Sequence, residues 1–386
     1  MFSKYLTLII TAMTIGSTSA HEPTIVKLTP PLVSQETISQ EIFCDRPMRE
    51  GKFNISLDQQ NGKTIVHCYG HGGSGWTTLF GSVNKAIQLF LETNPDKSSP
   101  IHVIGSGCMG LTTAAELSRL GYTVEKISTR SIYDNPSWRA AGFFALVSVK
   151  TSPEEQENLN NIGLDTFLTY QSINTGEHPY ISKDAVRYLP VYCSSQTDAG
   201  VENLELAGLI PPREYVTIDF GNGTVHPEYV KYLTFFLDTT RLMRELTDEV
   251  NRLNIPIEIR EINSFDDLPE TIIFNCSGLG ARDLNHDNAV IPVRGHLLTL
   301  NELSGSEHMD YMIYTKVKQD ENDEYIYLFP KGISITPDKT SGIHCFGVLG
   351  GTFLPNMDHL SSDEQEAINQ KEFNKLLERT QKFFQG

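Results

Sequence analysis

Apolar positions along the chain change their period several times, and each change marks an element. Ile101-His102-Val103-Ile104 is a short apolar run after a turn-rich stretch from Asn94 to Pro100, and it predicts a strand. From Leu111 to Leu120 the apolar residues fall at helical spacing, and Gly121 stands where a helix-ending glycine belongs. Tyr122-Thr123-Val124 then opens a second strand. Ile65-Val66 predicts another strand and Trp76 to Leu91 a helix. Tyr325-Ile326-Tyr327-Leu328-Phe329-Pro330 alternates with a period of two, so both tyrosines share one face. The acidic run Asp320 to Glu324 before it reads as a solvated hairpin loop. Val225 to Leu253 reads as a helical stretch with Pro227 at its start, and residues 361–386 as a polar helix. Gly163 to Phe220 mixes alternating apolar residues with prolines and glycines, which predicts a β-rich region.

Length and charge narrow the class. A chain of 386 residues implies two domains or one large α/β unit. The formal net charge of −17, with no Lys/Arg cluster, would repel a nucleic-acid backbone, so that partner is excluded. Lys4 followed by the apolar run Tyr5 to Ile15, then Thr18 and Ala20 framing a cut before His21, reads as a cleavable export signal over residues 1–20. The expectation is a secreted or periplasmic protein. No later segment is long and apolar enough to span a membrane. The six cysteines (Cys44, Cys68, Cys108, Cys193, Cys276, Cys345) are scattered, with no zinc spacing. They read as small core residues, and no metal is expected.

Two glycine-rich turns carry the chemistry. Gly105-Ser106-Gly107-Cys108-Met109-Gly110 lies between the strand at 101 and the helix after it, the full context of a dinucleotide fingerprint. Gly105 permits the tight turn, Gly107 lets a pyrophosphate approach the backbone, and Gly110 lets helix and strand pack closely. The acid expected at the end of the second strand is missing. Ile127-Ser128-Thr129-Arg130 stands there, leaving Ser128 or Thr129 to bond a ribose more weakly. The second turn, Gly70 to Gly75, joins a strand to a helix through Gly70, Gly72, Gly73 and Gly75. Its backbone N–H groups, backed by a helix N-terminus, favour a partial negative charge opposite them, such as a reduced flavin carries.

Here a resemblance becomes specific. His67 to Gly81 resembles the flavin-contacting signature of D-amino-acid oxidases, a His-x-Tyr-Gly-His-Gly-Gly-x-Gly-x-Thr pattern. Ile272 to Arg282 is similar to that family's second flavin-domain strand and turn, and Pro292 to His296 to the segment that follows. Arg46-Pro47-Met48-Arg49 resembles its substrate-arginine block. The order departs from the family: residues 40–92 carry blocks that elsewhere close the chain, ahead of the fingerprint at 101. A circularly permuted order is the expectation, since chain ends that lie close tolerate rejoining.

The resemblance implies an α/β fold, with a Rossmann-like FAD-binding domain (61–145 and 226–285) and a mixed, β-rich substrate domain with a C-terminal helix (22–60, 146–225 and 286–386). It implies FAD held by Gly105, Ser106, Gly107 and Gly110, by Ser128, Thr129 and Arg130, and by Gly70, His71, Gly72, Gly73, Gly75, Trp76 and Thr77. Ala141 and Gly142, in the small-residue turn after Arg139, and Ser277 and Gly278 complete the set. It gives Arg46 the substrate carboxylate, with Tyr327 and its neighbour Tyr325 beside it. Taken alone, Arg46 reads as a surface ion pair and the tyrosines as sheet packing. The implied reaction is hydride transfer from the Cα of a D-amino acid to flavin, with O2 or another acceptor reoxidising it. No catalytic base is nominated, because a substrate with a neutral amine can lose hydride directly. Glycine, sarcosine or D-aspartate as substrate, a dehydrogenase, and a flavin-binding protein without turnover stay open, as does an oligomer.

Overall fold

A computed structural model describes residues 24–146, 153–197, 200–305, 309–319, 322–331 and 346–386. The expected export signal at 1–20 lies outside the described residues, as do Asp320, Glu321 and Cys345.

Two sheets carry the molecule. The smaller has six strands, in the order Ile257–Ile259, Val124–Thr129, Ile101–Ile104, Ile272–Asn275, Lys63–Tyr69 and Asn54–Gln60. The first five run parallel and the last is antiparallel to its neighbour. Parallel strands need both faces covered. On one face Val66, Val103 and Phe274 pack with Val83, Phe90, Leu111 and Ala115 of the helices Leu79–Leu91 and Cys108–Arg119. On the other, Ile65, Ile104 and Ile273 meet Ile262, Phe265 and Leu268. Because Lys63–Tyr69 and Ile101–Ile104 flank Ile272–Asn275 in parallel, both glycine turns open at the same edge of one sheet, where α/β folds bind ligands.

The larger sheet has eleven strands, ordered Thr24–Lys27, Glu214–Asp219, Val225–Leu237, Val186–Ser194, Met312–Gln319, Asn322–Phe329, Gly347–Gly350, Val290–Leu300 and Leu354–Pro355. Ile38–Arg49 pairs antiparallel along Val290–Leu300, and Gly142–Phe143 pairs with Val225–Leu237. The C-terminal helix Ser362–Gln385, started by a capping box at Ser361 and Glu364, buries Phe373, Leu376, Phe383 and Phe384 against this sheet. Among the described residues no helix is long and apolar enough to cross a membrane.

Several expectations change. Val225–Leu237 is a strand, and the helix begins only at Thr239, where the Asp238 side chain accepts from the Arg241 N–H at 3.1 Å. Pro227 sits beside Glu228, whose φ is 61°, where the pairing with Glu214–Asp219 shifts register; it marks a bulge, not a helix start. The run before Asp238 is buried on both faces, which hides the alternation that would have identified it. Pro153–Thr175 is a long helix that runs into the region from Gly163 expected to be β-rich. It packs Tyr170 edge-on to Phe80 of the helix Leu79–Leu91. That helix starts at Leu79, after Trp76, and Asn322 to Glu324 belong to a strand rather than a loop. The two sheets also divide the chain differently from the expected ranges: Asn54–Gln60 joins the smaller sheet, while Gly142–Phe143 and Val225–Leu237 join the larger.

Candidate active site

A cleft of about 390 Å³ runs between the two sheets. At one end it is lined by Gly105, Ser106, Gly107, Ser128, Thr129 and Arg130. Its middle is lined by Gly70, His71, Gly72, Gly73, Gly75, Trp76 and Thr77, with Ala141, Ser277 and Gly278. At the other end stand Arg46 and Tyr327.

The fingerprint turn has the backbone its glycines imply. Gly105 has φ +103°, and a Cβ there would strike the Cys276 carbonyl oxygen. Gly110 is not part of the cleft wall; a Cβ on it would meet the Gly105 carbonyl, so its role is the close packing of helix on strand. Gly142 also stands outside the wall, tight against Leu237 and Thr239, because its strand joins the larger sheet. The Ser128 hydroxyl lies 2.9 Å from His102 Nε2, and His102 Nδ1 lies 3.0 Å from Glu270, all three buried. Thr129 Oγ1 donates to the Ser131 carbonyl and accepts from Ser106. Neither hydroxyl expected to bond a ribose is therefore free.

The middle turn is rigid. Gly70 (φ +88°) passes so close to Arg49 that a Cβ would lie 2.6 Å from that side chain's own Cβ. Thr77 and Thr78 both donate to the Ser74 carbonyl, at 3.1 and 2.7 Å. His71 stacks on Phe53, lies 3.1 Å from Ser82 Oγ, and is pushed by burial to a pKa of about 3. It is a neutral imidazole and donates no charge. The Trp76 indole N–H is buried on the wall without an acceptor among the described residues. A buried donor left unpaired is costly, and a ligand carbonyl or phosphate oxygen would satisfy it. The glycine cradles and this orphan donor fit a flavin dinucleotide.

The far end is built from side chains. Register places Arg46 opposite Val293, and its guanidinium lies over Gly295, where a Cβ would collide with it. It stacks over the Phe353 ring at 4.6 Å and donates from Nη1 to the Thr352 carbonyl at 3.2 Å. Tyr327 stands opposite Gly350, whose missing side chain leaves room for the ring. Burial raises the Tyr327 pKa, while the adjacent Arg46 opposes the rise; the phenol stays protonated. Tyr325 is not on the wall. It stacks behind Tyr314, which is. Phe143, Phe329 and Leu297 make the surroundings apolar. Sequence reasoning missed Gly295, Tyr314, Phe353 and, at the nucleotide end, Arg260 and Glu261, which reach the cleft only through strand register.

A sequence model of FAD-dependent oxidoreductases of the DAO type matches residues 101–386. The chain is 26% identical over 147 residues to a D-amino-acid oxidase from Dictyostelium discoideum, covering 38% of this chain and 34% of that protein. The match thus spans about a third of that relative's length. Among solved structures the chain is similar to a glycine oxidase from Bacillus cereus ATCC 14579 (TM-score 0.45, 14% identity, 74% of this chain and 77% of that one). It is also similar to an iminodiacetate oxidase from Chelativorans sp. BNC1 (0.47, 11%, 70% and 77%). A fructosamine oxidase from Aspergillus fumigatus gives 0.44, 15%, 67% and 64%.

Proposed function

Since the chain belongs to the DAO family of FAD-dependent oxidoreductases, whose sequence model matches residues 101–386, we propose that it oxidises the Cα–N bond of a small D-amino acid. One observation carries this reading: the Arg46 guanidinium and the Tyr327 hydroxyl lie together at the end of the cleft opposite the fingerprint turn.

FAD, when bound, supplies the hydride acceptor. Arg46 offers a planar fork suited to an α-carboxylate, and Tyr327 adds one O–H donor. Two fixed contacts on the carboxylate leave rotation about one axis, which the aromatic wall of Tyr314, Phe329 and Phe353 restricts, so the Cα–H is aimed from one face. His71, the one histidine among the described lining residues, is held neutral and has Ser82 as partner. The chain therefore orients a substrate whose amine arrives neutral. The imino acid released adds water to give a 2-oxo acid and ammonia, and O2 takes the two electrons and two protons as peroxide.

Anaerobic mixing of the FAD-loaded protein with D-alanine and L-alanine tests this. Loss of the oxidised flavin absorbance with the D-enantiomer alone is expected; equal response to both, or none to any amino acid, sinks the proposal. O2 consumption then separates an oxidase from a dehydrogenase. Two further parts belong to the proposal. The rearranged block order is supported by Asn54–Tyr69 pairing into the fingerprint sheet although it precedes the residues the family's model matches. Export through residues 1–20 is checked by whether the mature chain begins at His21.

A further inference from the structure

The strand that should end in a ribose-binding acid ends instead in Ser128-Thr129-Arg130, with both hydroxyls engaged inside the protein. An acid is nonetheless present at that spot. Ile257–Ile259 runs parallel to Val124–Thr129 with Ile259 beside Thr129, and the Arg260 N–H donates to the Thr129 carbonyl at 2.8 Å. The chain leaves the sheet through Arg260 and Glu261, both on the cleft wall beside Arg130. Glu261 Oε1 pairs with Arg130 Nη2 at 2.6 Å, and both side chains stay more than half exposed, 51% and 60%. A ligand can therefore reach the carboxylate.

We propose that Glu261, held by Arg130, supplies from the neighbouring strand the acid that this strand lacks, accepting from the ribose hydroxyls of the adenosine half of FAD. An acid here selects a free 2′-hydroxyl, whereas arginine at this place favours a 2′-phosphate. Arg130 and Arg260 would make this end anion-seeking if left alone. Glu261 sets the sign of the site. The inference rests on the family's cofactor and not on which amine is oxidised.

The plain alternative is a surface ion pair without a ligand. Retention of FAD by the full-length holoprotein on dilution, read by the fluorescence of released flavin, separates the two. Glu261→Gln should weaken FAD roughly tenfold, the scale of one charge-assisted contact, while affinity for FMN, which has no adenosine, stays as in wild type. Displacement of FAD by adenosine 2′,5′-bisphosphate should become easier relative to ADP in Glu261→Ala. Glu261→Asp should recover part of the affinity if the carboxylate itself is the contact. Wild-type retention and an unchanged competitor preference in Glu261→Gln and Glu261→Ala would overturn the proposal. An equal loss of FMN and FAD affinity would do so too, because it would mean structural damage. A wild-type protein that binds no FAD would instead remove the cofactor reading.

Discussion

The two ends of the cleft solve opposite problems with opposite materials. At the nucleotide end the wall is mostly backbone: Gly105 and Gly107 keep side chains out of the way, and the charged groups, Arg130 and Glu261, stand in solvent. At the Arg46 end the wall is aromatic side chains, and its charge is braced from behind. Thr352, whose carbonyl accepts from Arg46, receives His296 on its hydroxyl at 2.7 and 2.9 Å, and His296 reaches Asn369 of the C-terminal helix. Arg294 binds Asp45 through two contacts of 2.8 and 2.9 Å, one residue from Arg46. A backbone-built end tolerates a partly solvated ligand. Under the proposed reaction the side-chain end would hold a reacting atom to fractions of an ångström, which a buried, cross-braced support allows.

The largest expected effect breaks the backbone end. Gly105→Val adds a branched side chain at φ +103° against the Cys276 carbonyl, a strained conformation and a clash with main chain together. The variant should retain no FAD and show a lowered melting temperature; a yellow variant of wild-type stability would mean the turn is more pliable than its geometry implies. Next comes the Arg46 end. Arg46→Ala removes a paired, charge-assisted contact worth about 3 kcal/mol, so flavin reduction at saturating D-alanine should fall about a hundredfold while FAD stays bound. Arg46→Lys should recover little, since an ammonium has no planar fork. Equal reduction rates for wild type and Arg46→Ala would show that the two ends are not divided as described. His296→Ala, which reaches Arg46 through Thr352 rather than by direct contact, should raise KM more than it lowers kcat.

The same division decides what could be read from the sequence. The fingerprint strand, turn and helix are contiguous, so their period and glycines announce them, and Gly121 (φ +87°) ends the helix where the pattern puts it. Arg46 and Tyr327 were legible only through resemblance, because nothing within a few residues of either says that a strand register some 250 positions away sets Arg46 over Gly295. Glu261 has no local signal either; it reaches the cleft wall because Ile257–Ile259 pairs beside Val124–Thr129. Gly110 and Gly142 look alike in sequence to the glycines that line the cleft, yet packing against Gly105 and Leu237 uses them up. The helix Pro153–Thr175 is mostly polar with only a weak apolar stripe, and tertiary contacts rather than periodicity hold it.

A gentler change sharpens the comparison. Tyr327→Phe keeps the ring in the space that Gly350 leaves open and removes one O–H. Reduction should slow about tenfold, in line with one hydrogen bond to a charged group of about 1.5 kcal/mol. FAD retention should not move. If it does, the two ends are coupled.

The smallest effect belongs to His71, which sits between the ends. Burial lowers its folded pKa from 6.5 to about 3, so between those values the unfolded chain binds a proton that the folded one refuses. Its contribution to stability is therefore fully present above pH 6.5 and is lost as pH falls toward 3. Near pH 6 the loss is under about 1 kcal/mol, growing by about 1.4 kcal/mol for each further unit. Several other histidines, His67, His102 and His296 among them, are lowered by burial in the same direction, so the total slope does not isolate it. The difference does: His71→Gln, compared with wild type by urea unfolding at pH 7 and pH 5, should lose less stability between the two. Equal losses would mean that His71 takes up its proton as readily folded as unfolded, and at pH 5 a charged imidazole would then stand in the middle of the cleft.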